Sequence, residues 1–320
     1  MSSPDQIGDA LTARTHSGAH FGPTSSVNGK TALITGGAGG VGGEVAHRLH
    51  ARGVNLVLTD LDAGALSAIA AEFDHDRVMC TVADVRDLAA MQAAADEAVE
   101  RFGAIDIVVA NAGIASYGSV MQVDPAAFAR VLDVNVLGVF HTVRAALPAI
   151  INRRGYVLVV SSLAAYTALP GLAPYHASKA AVEHFANALR LEVAHLGVDI
   201  GSAHMSWIDT ALVQDCRADL PTFREMLANL PRPLCNTTSV QKCGETLVAG
   251  IESRKAHINC PGWTGLFRWL RPVLSTRLAE RRVSRLGRDL LPRMDAEVAA
   301  LGRCTSSRIE AMSRSAAAGR

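Results

Sequence analysis

A chain of 320 residues, 49% hydrophobic and only 19% charged, can bury one large core, and about 250 to 300 residues is a common size for a single α/β domain. A formal net charge of +1 gives no global attraction to nucleic acid or an acidic partner, so neither is expected and any such contact must be local. Cys80, Cys216, Cys235, Cys243, Cys260 and Cys304 follow no C-x-x-C or Cys/His ligand spacing, which indicates neither a metal site nor a disulfide framework; reduced, mostly buried thiols in a cytoplasmic protein are expected.

Residues 1 to about 28 are polar, without an apolar targeting run or either periodicity, and predict a flexible tail. From Lys30, short apolar runs alternate with amphipathic stretches: "TALIT", a helix from about Val41, "VNLVLTD", a helix from about Ala63, "RVMCTVAD", a helix from about Leu88, and "IDIVVA". A long helix over about Pro125 to Ile151 follows, then "GYVLVVS", a helix from about Pro174, "VDIGSAH", a helix over about Thr238 to Ser253, and "AHINC". Continuous apolar runs mark strands buried on both faces, so the pattern predicts a Rossmann-type doubly wound, seven-stranded parallel sheet in one α/β domain over residues 29–262. The most apolar stretches are interrupted by Asp133, Asn135, His141 and Arg144, or by Ser161 and Ser162, so no membrane span is expected.

Between the first strand and its helix, "TGGAGGVG" lets backbone amides approach a pyrophosphate because no Cβ intervenes. Gly37, Gly39 and Gly42 fit G-x-G-x-x-G, whereas Gly36, Gly40 and Gly42 fit T-G-x-x-x-G-x-G; the string itself does not choose. Asp60 ends the second strand 18 positions beyond Gly42, where a carboxylate accepts hydrogen bonds from ribose hydroxyls and repels a 2′-phosphate. No Lys or Arg stands in the glycine turn or directly after Asp60, so NAD is favoured over NADP; the competing role for Asp60 is to cap the helix entered through Asp62. Tyr175 and Lys179 are four apart, one helical turn from each other, which sets an ammonium beside a phenol. A free tyrosine titrates near about 10, so acid/base work at neutral pH needs the phenolate favoured by about 3 to 4 kcal/mol, from the lysine and a cationic nicotinamide.

With "TGGAGGVG", "NAG" at Asn111 to Gly113, "DVNVLG" around Asn135, "SS" before a loop and "YHASK", the chain resembles the short-chain dehydrogenase/reductase family over about residues 28 to 262. The resemblance selects the T-G-x-x-x-G-x-G register. It implies that Gly36, Gly40, Val41 and Gly42 hold the cofactor, that Asn111 and Gly113 line its cleft, and that Asp84 contacts adenine with Val85 beside it. It further implies that Tyr175 exchanges the proton with the substrate oxygen, that Lys179 lowers the phenol's pKa and binds the nicotinamide ribose, and that Asn135 holds a relay water. Ser162 polarises the carbonyl in this pattern; it lies 13 positions before Tyr175 and is preferred to Ser161, the expected last residue of its strand. Pairing through the helices that begin near Pro125 and Pro174 implies a homodimer or homotetramer.

Two segments depart from the pattern. Met205 and Ser206 stand where the family has Pro-Gly, which puts the path of the following loop in doubt, while Ile208 and Thr210 still match the residues that contact the carboxamide. Over Trp207 to Leu234, Leu212, Val213, Leu220, Phe223, Met226, Leu227 and Leu230 suit an apolar pocket or, equally, core. Residues 263–320 form an extension in which eight arginines from Arg268 to Arg293 face only Glu280 and Asp289. Leu270, Val273, Leu274 and Leu278 recur at helical spacing, with Pro272 read as a first-turn residue, giving a basic amphipathic helix. It is expected to pack on a subunit, to touch an anionic membrane, or to cover an apolar substrate. The expected function is NAD-dependent hydride transfer with an apolar, steroid- or lipid-like secondary alcohol or ketone. The alternatives are an NADPH-dependent carbonyl reductase and a non-catalytic dinucleotide-binding scaffold.

Overall fold

The computed structural model describes residues 26–274 and 276–318, so the expected N-terminal tail lies outside the described residues apart from Ser26, Val27 and Asn28. Strands β1 (Thr31–Thr35), β2 (Asn55–Asp60), β3 (Val78–Val82), β4 (Ile107–Ala110), β5 (Tyr156–Val160), β6 (Asp199–Met205) and β7 (His257–Cys260) form one sheet in the order β3-β2-β1-β4-β5-β6-β7. Every neighbouring pair is parallel. The order reverses between β1 and β4, which opens a crevice at the carboxyl ends of these strands.

Alternate strand residues feed two cores. Ala32, Ile34, Leu56 and Leu58 pack beneath helices α1 (Gly40–His50) and α2 (Ala63–Ala70). Leu33, Val57 and Val108 pack on the other face against α3 (Leu88–Phe102). Both faces are therefore covered, which is why the strands read as unbroken apolar runs. Helix starts follow their caps. Asp62 accepts from the Ala65 amide, Asp87 from those of Ala89 and Ala90, and Asp124 from that of Ala126, with Pro125 opening α4 (Pro125–Leu132).

The expected long helix is one helical run with a π turn at Asp133–Leu137 between α4 and α5 (Gly138–Arg153). It is long and apolar enough to cross a membrane by composition alone, yet Val139, Val143, Ala146 and Ile150 are buried against the sheet. Helix α6 (Ala173–Val193) carries "YHASK" beside it. The segment after β6 holds two helices, α7 (Ala211–Asp219) and α8 (Pro221–Ala228), and α9 (Val240–Glu252) leads to β7.

The described part of the extension carries three helices, α10 (Thr264–Leu274), α11 (Arg277–Leu301) and α12 (Ser307–Ala318). Pro272 does not open a helix: it lies in the last turn of α10, where its missing amide helps to end the helix, so Leu270 and Leu278 belong to different helices. Leu290, Met294 and Val298 of α11 are buried with Phe223, Met226 and Leu227 of α8. Arg303 grips Asp219 with two hydrogen bonds of 2.7 Å each, and the Tyr117 hydroxyl donates to the same carboxylate at 2.6 Å. Asp295 accepts from the Ser119 amide at 2.7 Å. The extension thus packs on its own chain through this half of α11.

Candidate active site

The glycine turn between β1 and α1 has positive φ at Gly36 (62°) and Gly40 (55°), the glycines of the T-G-x-x-x-G-x-G register. A Cβ on Gly42 would collide with the carbonyl oxygen of Gly36 and come within 2.7 Å of the Asn111 amide nitrogen, so this glycine lets the helix approach the turn from below. A Cβ on Gly39 would meet nothing within 4 Å, and Gly39 caps α1 with no side-chain hydrogen bond, so the first helical amides face the cleft. Asn111 ties the turn down, donating to the carbonyls of Thr35 at 3.0 Å and Gly36 at 3.2 Å.

At the end of β2, Asp60 accepts from the amides of Leu61 at 2.8 Å and Asp62 at 3.3 Å, and through its second oxygen from Ala38 at 3.3 Å. Asp62 is the cap of α2, so Asp60 is left to face the cleft that it lines. Asp84 and Val85 line the same wall. Arg86, which the sequence reading passed over, also lies there, but its guanidinium holds Asp84 at 2.6 to 3.0 Å. That pairing offsets its charge and leaves Asp60 as an acid lining the cleft.

The reactive corner brings together the end of β5, the start of α6 and the π turn. Ser162, not Ser161, stands beside the Tyr175 phenol, its hydroxyl donating to the Met205 carbonyl at 3.3 Å and accepting from the Ala164 amide at 3.1 Å; Ser161 instead donates to the carbonyl of Lys179 at 2.9 Å. Burial pushes the Tyr175 phenol up from its ordinary value of 10, and the neighbouring Ser162 hydroxyl opposes that rise. Lys179 donates to the Val160 carbonyl at 2.9 Å and lies 5.7 Å from the centre of the Tyr175 ring. Its amine is pulled down to about 8 by burial. Burial therefore opposes ionisation of both partners in the absence of an added charge.

Asn135 is fully buried behind this corner. Its amide donates to the Ile114 carbonyl and to Ser178 Oγ, both at 2.9 Å, and its oxygen accepts from the Ile114 amide at 2.8 Å. The side chain is thus fully engaged, and hydrogen bonding in the π turn is shifted to Gly138 N donating to Asp133 O. Gly113 lies between: a Cβ there would stand 3.3 Å from Asn135 Oδ1 and 3.5 Å from Lys179 Nζ.

Loss of Pro-Gly does not leave the next segment loose. The Ser206 amide donates to Cys260 at 2.9 Å, and Ile208 bridges Thr238 in parallel, which holds Ile208 and Thr210 in the cleft wall. Ser206 Oγ is buried there with no hydrogen-bond partner, an acceptor-donor awaiting a bound polar group. Together with the open glycine cradle and Asp60, it makes the cleft fit a dinucleotide.

The cleft measures about 1170 Å³ and continues past Tyr175 into an apolar chamber. Leu212, Val213, Phe223 and Leu230 line it, while Leu220, Met226 and Leu227 turn into the core under α11. Phe267, Leu274 and Leu286 of the extension complete its wall. His176, inside "YHASK", joins both ends of the loop after Ser162: its Nδ1 donates to the Ala164 carbonyl at 3.0 Å and its Nε2 accepts from the Leu169 amide at 3.0 Å, the tautomer being set by these partners. Behind Ser162, Tyr166 lies 3.0 Å from His204 Nε2 and 3.4 Å from Glu183 in a buried polar group. Neither contact has a local signal in the sequence.

A family model described as short chain dehydrogenase matches residues 30–221. An uncharacterised NAD-dependent oxidoreductase of Mycobacterium tuberculosis is 32% identical over 215 residues, 62% of this chain and 78% of that protein. The 2-(R)-hydroxypropyl-CoM dehydrogenase of Xanthobacter autotrophicus is 34% identical over 232 residues, 70% of this chain and 92% of that protein. A crystal structure of a short chain dehydrogenase/reductase from Burkholderia phymatum in complex with NAD superposes with a TM-score of 0.67 at 26% identity, covering 76% of this chain and 93% of that one.

Proposed function

This chain belongs to the short-chain dehydrogenase/reductase family, and from that premise we propose that it oxidises an apolar secondary alcohol, or reduces the matching ketone, with Tyr175 as the acid/base group. It is an NAD-dependent oxidoreductase acting on CH–OH donors. NAD, when bound, supplies the hydride acceptor and a positive ring. The residues do the rest: Ser162 donates to the substrate oxygen, Tyr175 takes or returns its proton, and Lys179, as an ammonium, holds the ribose and stabilises the phenolate. The Asn135 carbonyl holds the water through which Lys179 exchanges its proton with solvent. Gly36, Gly40 and Val41 cradle the pyrophosphate over Gly42, and Asp60 takes the adenosine ribose. Asp84 and Val85 flank adenine, Asn111 and Gly113 shape the floor, and Ile208 with Thr210 meets the carboxamide.

The observation that carries this reading is the convergence of Ser162, Tyr175 and Lys179 on one wall of the cleft, with Lys179 buried 5.7 Å from the centre of the Tyr175 ring. Hydride transfer measured as NADH appearance, across secondary alcohols of increasing apolar size with NAD and NADP, tests it. Turnover with NAD that grows with apolar size is expected. Turnover retained by Tyr175→Phe, or a preference for NADP, contradicts it. A scaffold without chemistry has no physical need of a buried lysine beside a phenol, and it predicts NADH binding with no turnover.

Exposed Leu137, Phe140 and Leu191 lie on α5, the preceding π turn and α6, and suit pairing of two copies through these helices. A dimer or tetramer is the expected sedimenting species. The six unpaired thiols suit a reducing, cytoplasmic compartment.

A further inference from the structure

Helix α10 has two unlike faces. Phe267, Arg271 and Leu274 line the substrate chamber, and Phe267 meets the Trp263 ring edge-on at 5.7 Å. On the opposite side, Leu266, Trp269 and Val273, at i, i+3 and i+7, are 57%, 77% and 57% exposed, and Leu278 at the start of α11 is 74% exposed. Arginines surround this apolar stripe: exposed Arg268, with its guanidinium 5.7 Å from the centre of the Trp269 ring, and exposed Arg277, Arg281 and Arg285. The acid within this stretch, Glu280, lines the chamber.

We propose that α10 and the start of α11 dock this enzyme on an anionic phospholipid surface, with Leu266, Trp269, Val273 and Leu278 entering the headgroup boundary and the arginines pairing with lipid phosphates and carboxylates. An exposed tryptophan among leucine and valine, bordered by arginine, matches the amphipathic chemistry of a bilayer interface. A two-fold contact between copies does not suit the patch, because it would set this arginine cluster against itself. Docking sets α10 between the lipid and the chamber that Phe267 and Leu274 line, so a lipid-dissolved alcohol has only this helix to pass on an apolar path to Tyr175. That route rests on the proposed function; the docking does not.

The test is flotation of the full chain with vesicles of phosphatidylcholine alone or mixed with phosphatidylserine, at low and high salt. NADH binding is followed in parallel to show that each variant is folded. Flotation with the anionic vesicles at low salt is expected, with loss at high salt. Arg277→Gln with Arg281→Gln lowers partitioning about twentyfold, at roughly fivefold for each arginine removed from the surface. Trp269→Ser with Val273→Ser abolishes it. Absence of flotation, or flotation that both double variants retain, overturns the proposal. So does a chain that never floats but sediments as a smaller species once Trp269 and Val273 are replaced, which would assign the patch to a contact between copies. Failure of turnover with flotation intact would count against the proposed function alone.

Discussion

The two halves of the cleft are built by different means. The cofactor half rests on short segments whose geometry is local: a turn that needs glycine at Gly36 and Gly40, an aspartate at the end of β2, and a tyrosine and lysine one helical turn apart. The substrate half is assembled from distant pieces, the strand-end loop at Tyr117 and Ser119, α7 and α8, and the extension, joined by contacts such as Arg303 to Asp219 across 84 positions. The first half can serve hydride transfer on many molecules. In the proposed function, the second would decide which molecule enters.

That division is open to being broken. Tyr175→Phe removes the proposed proton carrier, and is expected to lower turnover by about a thousandfold while NADH affinity stays, in line with the usual 10²–10⁴ for general acid/base groups. Leu290→Ala or Met294→Ala opens a cavity under α8 and is expected to cost about 2 to 4 kcal/mol of stability in denaturant unfolding. The same variants should raise KM for the alcohol and leave NADH binding unchanged; a parallel loss of both would mean that the halves are one cooperative unit. Arg303→Met leaves Asp219 and Tyr117 short of a partner in a partly exposed site, an expected loss of about 1 to 3 kcal/mol. Arg303→Lys should not restore it, because an ammonium cannot replace the two-pronged contact. Asp60→Ala is expected to narrow the preference for NAD over NADP by about thirtyfold, through lost ribose hydrogen bonds and lost repulsion of a 2′-phosphate, each near 1 kcal/mol.

A pH dependence of stability is expected as well. Burial holds His204 and His257 down to about 4, below the ordinary histidine value of 6.5. Between those values the unfolded chain binds more protons than the folded one, so stability is full above 6.5 and falls as pH drops towards 4. Melting temperature measured across that window should show this slope, and His204→Gln should make it shallower.

Much of the cofactor half was legible because its signals are local. Apolar runs located the strands, and Asp62, Asp87 and Asp124 marked helix starts. The register of the glycines was not legible from spacing, since "TGGAGGVG" satisfies two patterns; the positive φ of Gly36 and Gly40 distinguishes them. The π turn at Asn135 escaped notice because one extra residue barely disturbs a helical apolar pattern. Pro272 misled because proline fits an early helical turn by rule and also ends a helix that it enters late. Leu212 and Leu220 look alike in sequence, and only the arrival of α11 decides that one lines the chamber and the other is core.

Burial is expected to keep the Tyr175 phenol protonated until the cofactor adds its charge. Phenolate absorbance, taken as the difference between the wild-type chain and Tyr175→Phe, measures this directly with and without NAD. Without NAD the phenol should stay protonated beyond the ordinary tyrosine value of 10, and with saturating NAD it should ionise near neutrality. A phenol that titrates at the same pH in both conditions would contradict the account.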